Sequence, residues 1–207
     1  QELGLKVTLV NATFDTIIPG ITSGKYDMGA SSFTDTKERE GTVDFVTYFS
    51  AGEGFYVPAN STVTFDGLDS LCGHKVAVEK GSTEETDATN QSKTCTDAGK
   101  KAVDVLSFDD QNAANLAVSS GRAEVGFLDS QIAEYVAAQS NGQFKVSGKA
   151  FATAPYGLAV AKNGISDAVL EAVKDLMANG TYGKILAKWG QEVGAVKEVT
   201  INEGAGL

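Results

Sequence analysis

The sequence predicts an α/β protein. Three observations carry the prediction: short apolar runs alternate with segments of helical periodicity, glycine closes several of the helical segments, and acidic residues open others. Strands alternating with helices imply parallel sheets covered on both faces. Residues 5–10 (LKVTLV) alternate and read as a strand. Residues 14–23 (FDTIIPGITS) place apolar side chains at helical spacing, and Gly24 is a natural stop. Residues 26–30 read as a short buried strand running into the polar stretch 31–40, and residues 54–57 as a strand ended by Pro58. Residues 74–79 (HKVAVE) form the next expected strand, and residues 81–85 open a helix with acids in its first turn. A strand over 103–108, a helix over 109–119 stopped by Gly121, and a strand over 124–128 follow. Asp129 is placed to N-cap the helix beginning there. The chain closes with a strand over 156–161, an amphipathic helix over 166–179 before Gly180, and a helix over 182–189 whose Tyr182, Ile185 and Trp189 read as core packing.

The 207 residues allow one large domain or two modest ones. A hydrophobic content of 42% and a charged content of 21% are those of an ordinary globular chain. Seventeen basic against 27 acidic residues give a net charge of −10. That balance excludes a broad nucleic-acid surface and disfavours a basic membrane face. No apolar run approaches the roughly 20 residues that cross a bilayer. The chain opens at Gln1-Glu2-Leu3 without a charged or apolar signal segment, so targeting sequence has been removed or the protein is cytosolic.

The single histidine, His74, lies in a turn and reads as solvated. One histidine and two cysteines make a poor metal set, and neither metal nor cofactor is expected. Cys72 and Cys95 allow free core thiols, a redox pair or a structural disulfide. Their polar, turn-rich surroundings favour the disulfide and, with it, an oxidising compartment.

An internal echo organises the chain. Phe14-Asp15 begins a helix that ends in Ser23-Gly24-Lys25-Tyr26-Asp27, and Phe108-Asp109 begins one that ends in Ser120-Gly121-Arg122-Ala123-Glu124. Two lobes sharing one helix–turn–strand unit are expected, with crossovers near 55–58 and 154–157.

The run Tyr26-Asp27-Met28-Gly29-Ala30-Ser31-Ser32-Phe33-Thr34-Asp35-Thr36-Lys37-Glu38-Arg39 resembles the solute-binding proteins of polar amino-acid ABC transporters, the bacterial extracellular family 3. Val43-Asp44-Phe45-Val46-Thr47-Tyr48, the stretch from Lys75 to Glu85, Ser120-Gly121-Arg122, Phe127-Leu128-Asp129 and Asn179-Gly180-Thr181-Tyr182-Gly183-Lys184-Ile185 continue the resemblance in order. It implies a two-lobed periplasmic-binding-protein fold (Venus-flytrap, type II) with a hinge of two crossover strands. Residues 1–56 plus 156–207 would form lobe 1, and residues 57–155 lobe 2. Family members carry one further strand–helix unit before the position matching Leu3, so lobe 1 is expected to be incomplete and to self-associate through an open strand edge.

A free amino acid presents a carboxylate and an ammonium close together, so its site needs a forked cation, a carboxylate and hydroxyl or backbone partners. Arg39 is either a solvated member of Lys37-Glu38-Arg39-Glu40 or that fork; the resemblance implies that it holds the ligand α-carboxylate. Ser31, Ser32 and Thr34 are expected where a strand ends, at the usual ligand edge of a parallel sheet. Ser82 and Thr83 open a helix whose N–H groups suit an anion, with simple capping as the other reading. Asp129 reads by position as an N-cap and by resemblance as the partner of the ligand ammonium. Phe14 reads as core, or by resemblance as lining the ligand side chain.

The implied function is capture of an extracellular amino acid by two closing lobes and delivery to an ABC permease with its ATPase, without covalent chemistry. The location implied is periplasmic, or lipid-anchored at the outer cell surface. A sensor module, and an enzyme resembling the cyclic-acid dehydratases on the same scaffold, are the alternatives. Phe14, Phe33, Leu128 and the serines show no strong charge opposite a Lys, Arg or Glu side chain, which favours glutamine or another polar amino acid.

Overall fold

A computed structural model describes residues 2–204. In chain order the elements are α1 (Phe14–Thr22), β1 (Met28–Thr34), α2 (Lys37–Glu40), β2 (Asp44–Pro58), β3 (Lys75–Glu79), α3 (Thr83–Asp97), β4 (Asp104–Phe108), α4 (Gln111–Ser119), β5 (Val125–Asp129), α5 (Ser130–Gln139), β6 (Phe144–Val160), α6 (Ile165–Ala178) and α7 (Thr181–Trp189). The strand order is β1-β6-β2-β5-β3-β4. Two compact units divide the chain: Gln1–Ala12, Thr16–Ala51 and Ala154–Leu207 in unit 1, and Thr13–Asp15 with Gly52–Thr153 in unit 2. The long strands β2 and β6 carry the chain from one unit to the other.

Unit 2 is built on period-2 alternation over a sheet buried on both faces. Strand β3 pairs in parallel with β4 and β5, and β5 pairs antiparallel with the second half of β2. Phe55, Val57, Val76, Val78, Val125 and Phe127 point to one core, which Ala88 and Cys95 of α3 complete. Tyr56, Ala77 and Leu128 join the other, against Ala114, Ala117 and Val118 of α4. The Tyr56 hydroxyl donates to Asn115 Oδ1 at 2.6 Å, and its ring lies so close to Gly126 that a Cβ there would sit 2.0 Å from a ring carbon. A disulfide joins Cys72 to Cys95 with the Cα atoms 5.6 Å apart.

In unit 1, β1 pairs antiparallel with the end of β6. Val46, Val160, Val169, Val173 and Val199 form one core cluster, and Phe49, Ala51 and Tyr156 another. The C-terminal segment runs beside β2: Thr47 N donates to the Thr200 carbonyl at 2.9 Å, and Asn202 N to the Phe45 carbonyl at 3.0 Å.

Several expectations are corrected. Residues 5–10 form no strand. No described strand pairs with them, and Leu5, Val7, Leu9 and Val10 are exposed. Strand β1 runs on to Thr34, so Ser31, Ser32 and Thr34 lie within it rather than in the turn beyond. Strands β2 and β6 are far longer than residues 54–57 and 156–161, because each serves both units. Trp189, 63% exposed, and Ile185 are not core. The inward side of α7 is instead Tyr182, whose hydroxyl donates to the Tyr48 carbonyl at 2.9 Å, and Leu186, which packs on the Phe49 cluster. His74 is not simply solvated: its Nδ1 lies 2.8 Å from Glu124 Oε2, and its ring meets Phe65 edge-on.

Candidate functional site

The residues singled out in the sequence fall into two groups, one in each unit. Unit 1 holds Ser31, Ser32, Thr34 and Arg39, and unit 2 holds Phe14, Ser82, Thr83 and Asp129.

In unit 1 the β1 register shifts between Gly29 and Phe33. Ser32 sits in that irregularity with φ at +50°, a left-handed conformation that a serine adopts at some cost. Bulges of this kind re-aim side chains and favour functional positions. The strand then leads through Asp35 into α2, whose N-cap Thr36 accepts from the Arg39 N–H at 3.2 Å. Arg39 is half-buried: its Nη1 donates to the Thr34 carbonyl at 2.8 Å, and its guanidinium carbon lies 5.7 Å from the centre of the Phe33 ring. A carbonyl and an aromatic face thus orient the fork, which makes Arg39 more than a solvated member of a charged run.

Asp35 beside it is fully buried. Burial, with the Glu40 carboxylate nearby, pushes its carboxyl up to about 7.

In unit 2, Ser82 N-caps α3, its Oγ accepting from Glu85 N at 3.1 Å, while Glu85 reaches back to accept from Gly81 N at 2.7 Å. The capping reading of Ser82 therefore holds. Thr83 Oγ1 donates to Glu84 Oε2 at 3.3 Å. Asp129 closes β5 at the N-cap position of α5, but its side chain makes no capping hydrogen bond, which corrects the capping role expected of it. Phe14 is half-buried at the start of α1.

The sequence reading missed three acids of unit 2. Glu53 lies directly across the β2–β5 ladder from Asp129, and Glu84 and Asp87 occupy the first turns of α3. Glu53 shares the parity of Phe55 and Val57, and Asp129 that of Phe127, so both lie on the sheet face that α3 covers. Glu84 precedes Ala88, Gln91 and Cys95 on the buried side of α3. Glu53 is 4% exposed, with both carboxyl oxygens lacking a hydrogen-bond partner among the described residues. Burial and the neighbouring Glu84, Asp87 and Asp129 push its carboxyl up to about 10. Glu53 is the one charged residue between Phe45 and Val57, but that run does not show which residues face it.

Solved structures share this fold. An ancestral arginine-binding protein bound to glutamine superposes with a TM-score of 0.81 at 35% identity, covering 92% of this chain and 83% of that one. The ancestral amino acid-binding protein AncCDT-1, a precursor of cyclohexadienyl dehydratase, superposes with a TM-score of 0.77 at 32% identity, over 91% of this chain and 79% of that one. The fold class is therefore the α/β fold of amino-acid-binding proteins, as the sequence resemblance implied. Residues 1–192 match the bacterial extracellular solute-binding proteins, family 3, and the chain belongs to that family. The arginine-binding protein ArgT of Corynebacterium glutamicum is 32% identical over 203 residues, 97% of this chain; the chain spans 66% of that relative's length. No helix among the described residues is long and apolar enough to cross a membrane.

Proposed function

We propose that the protein binds a free amino acid and passes it to an ABC permease with its ATPase. Arg39 takes the α-carboxylate, with Ser31, Ser32 and Thr34 beside it on β1, and Asp129 takes the α-ammonium. Ser82 and Thr83 at the start of α3 and Phe14 contribute further contacts. The observation that carries the reading is the held fork of Arg39, oriented by the Thr34 carbonyl and the Phe33 ring. The relatives' names support it, since each is described as binding an amino acid. Binding proceeds without covalent chemistry, outside the cytoplasm, in the periplasm or at a lipid-anchored outer surface. Leu5, Val7, Leu9 and Val10, exposed in a segment without secondary structure, support self-association of the chain.

Calorimetric titration with the twenty amino acids tests the reading. Arg39→Ala should weaken binding at least about thirtyfold, because truncating one partner of a desolvated charge pair costs roughly 2–5 kcal/mol. Binding by that variant within threefold of the parent would remove Arg39 from the site.

A further inference from the structure

We propose that residues 202–204 form a clamp that positions Arg39: they grip α2 through Lys37 and Glu40, and Glu40 is the positioning residue through which the clamp acts. The inference rests on the reading that Arg39 takes the ligand carboxylate, and it deepens that reading.

Helix α2 needs support from outside. It is the single turn Lys37–Glu40, and so short a helix does not hold by its own hydrogen bonds. Thr36 caps it and Arg39 Nη1 donates to the Thr34 carbonyl, but both contacts go to the chain just before the turn. Where the turn sits, and the Arg39 fork with it, depends on what holds Lys37 and Glu40.

The C-terminal segment of the same unit holds them. It is registered on β2. Thr47 N donates to the Thr200 carbonyl at 2.9 Å, Phe45 N to Asn202 Oδ1 at 2.9 Å, and Asn202 Nδ2 to Asp44 Oδ1 at 2.9 Å. Asn202 takes a left-handed φ of +59°, a conformation that asparagine tolerates better than most residues. Lys37 Nζ then donates to the Asn202 carbonyl at 3.2 Å, and Gly204 N donates to Glu40 Oε1 at 2.8 Å. Lys37 also pairs with Glu40 at 2.9 Å, so one network ties both ends of α2 to the segment. The bond from Gly204 goes to a carboxylate, and such charge-assisted bonds are the strong ones.

The fit at Gly204 is close. A Cβ there would sit 2.6 Å from Glu40 Oε1, 2.8 Å from Asp35 Oδ1 and 3.0 Å from the Asp35 carbonyl, so a side chain enters only if Glu40 or Asp35 moves. Charge agrees with the geometry. Burial alone would raise the Glu40 carboxyl, but Lys37 and the Gly204 N–H hold it below its usual range, so it is ionised and accepts. Asp35, raised by burial and by Glu40 itself, stays mostly protonated below pH 7 and does not repel it.

Calorimetric titration with the twenty amino acids at pH 6, well below the thermal midpoint of each variant, tests the clamp. A contact that served stability alone would leave the affinity of fully folded protein unchanged. Glu40→Ala and Gly204→Ala should each weaken binding by about tenfold, because an unclamped turn must be ordered when ligand arrives, and immobilising a long side chain alone costs up to about that factor. Hydrogen exchange of the amides of residues 36–43 should quicken in both. Glu40→Gln keeps an acceptor for the Gly204 N–H and should bind within threefold of the parent. Should Glu40→Ala fail to fold, Gly204→Ala, which removes no group, decides alone. Binding by Gly204→Ala within threefold of the parent, with Arg39→Ala impaired, overturns the clamp and leaves the amino-acid reading standing. Glu40→Gln binding as weakly as Glu40→Ala overturns the role of Glu40 as acceptor. A parent that binds none of the twenty overturns the amino-acid reading, and this assignment with it.

Discussion

Breaking the Cys72–Cys95 disulfide should destabilise unit 2 and leave ligand affinity alone. The bridged residues are 23 apart, and closing a loop of that length restricts the unfolded chain by about 3 kcal/mol on the chain-entropy model. A loss of about 2–3 kcal/mol is therefore expected. For a unit of this size about 1 kcal/mol moves the thermal midpoint by roughly 4 °C, so the midpoint should fall by about 8–12 °C. Ligand affinity should hold because Cys95 lies in the last turn of α3, whereas Ser82 and Thr83 lie at its start. Twelve helical steps from Thr83 to Cys95 separate them by about 18 Å along the axis. Scanning calorimetry of the oxidised protein, the reduced protein and the Cys72→Ala/Cys95→Ala variant measures the first effect, and amino-acid titration of the same samples the second. A midpoint drop under 2 °C, or two titratable thiols in the unreduced denatured protein, refutes the reasoning.

Three more outcomes can be checked on the same protein. The Asp35 carboxyl, raised to about 7 in the fold, is fully stabilising below its unfolded value near 4 and loses that contribution as pH rises through 7. Asp35→Asn should therefore flatten the stability profile over that window and be more stable than the parent at pH 8 by on the order of 1–3 kcal/mol in urea unfolding. Gly126→Ala drives a methyl into the Tyr56 ring and should lower the urea-unfolding free energy by about 3 kcal/mol; a loss under 1 kcal/mol would show that the ring yields. Light scattering of the parent should show mass rising with concentration, and Val7→Lys with Leu9→Lys should return it to the monomer value. A parent that stays monomeric at every concentration removes the self-association proposal.

Most of the fold was legible because its elements announce themselves locally. Gly24, Gly121 and Gly180 follow helices and take the positive φ that glycine tolerates, and β3 reads as an apolar run because both its faces are buried. What was illegible depends on partners. Residues 5–10 have the composition of a strand, but a strand is defined by the backbone it pairs with, and among the described residues there is none. Trp189 and Ile185 share helical spacing with Tyr182, yet spacing does not show how far the packed surface extends along the helix: Tyr182 and Leu186 meet Tyr48 and the Phe49 cluster, while Ile185 and Trp189 stay exposed.

The site divides along the same line. Arg39 was visible because its surroundings in sequence are a specific run, and the structure adds what holds it. Glu53 was invisible for the opposite reason: it stands between two glycines, and nothing in the adjacent residues shows that Asp129 will face it from a strand some seventy residues later. The glycines themselves reflect close packing there. A Cβ on Gly52 would meet the Phe151 carbonyl at 2.8 Å, and one on Gly54 would meet Ser130 Cα at 3.0 Å. Backbones packed this tightly on both sides leave Glu53 little freedom to turn toward water. Its carboxyl is held on the α3 side of the sheet, among Asp129, Glu84 and Asp87, in a position that helical and strand periodicities would assign to an apolar residue.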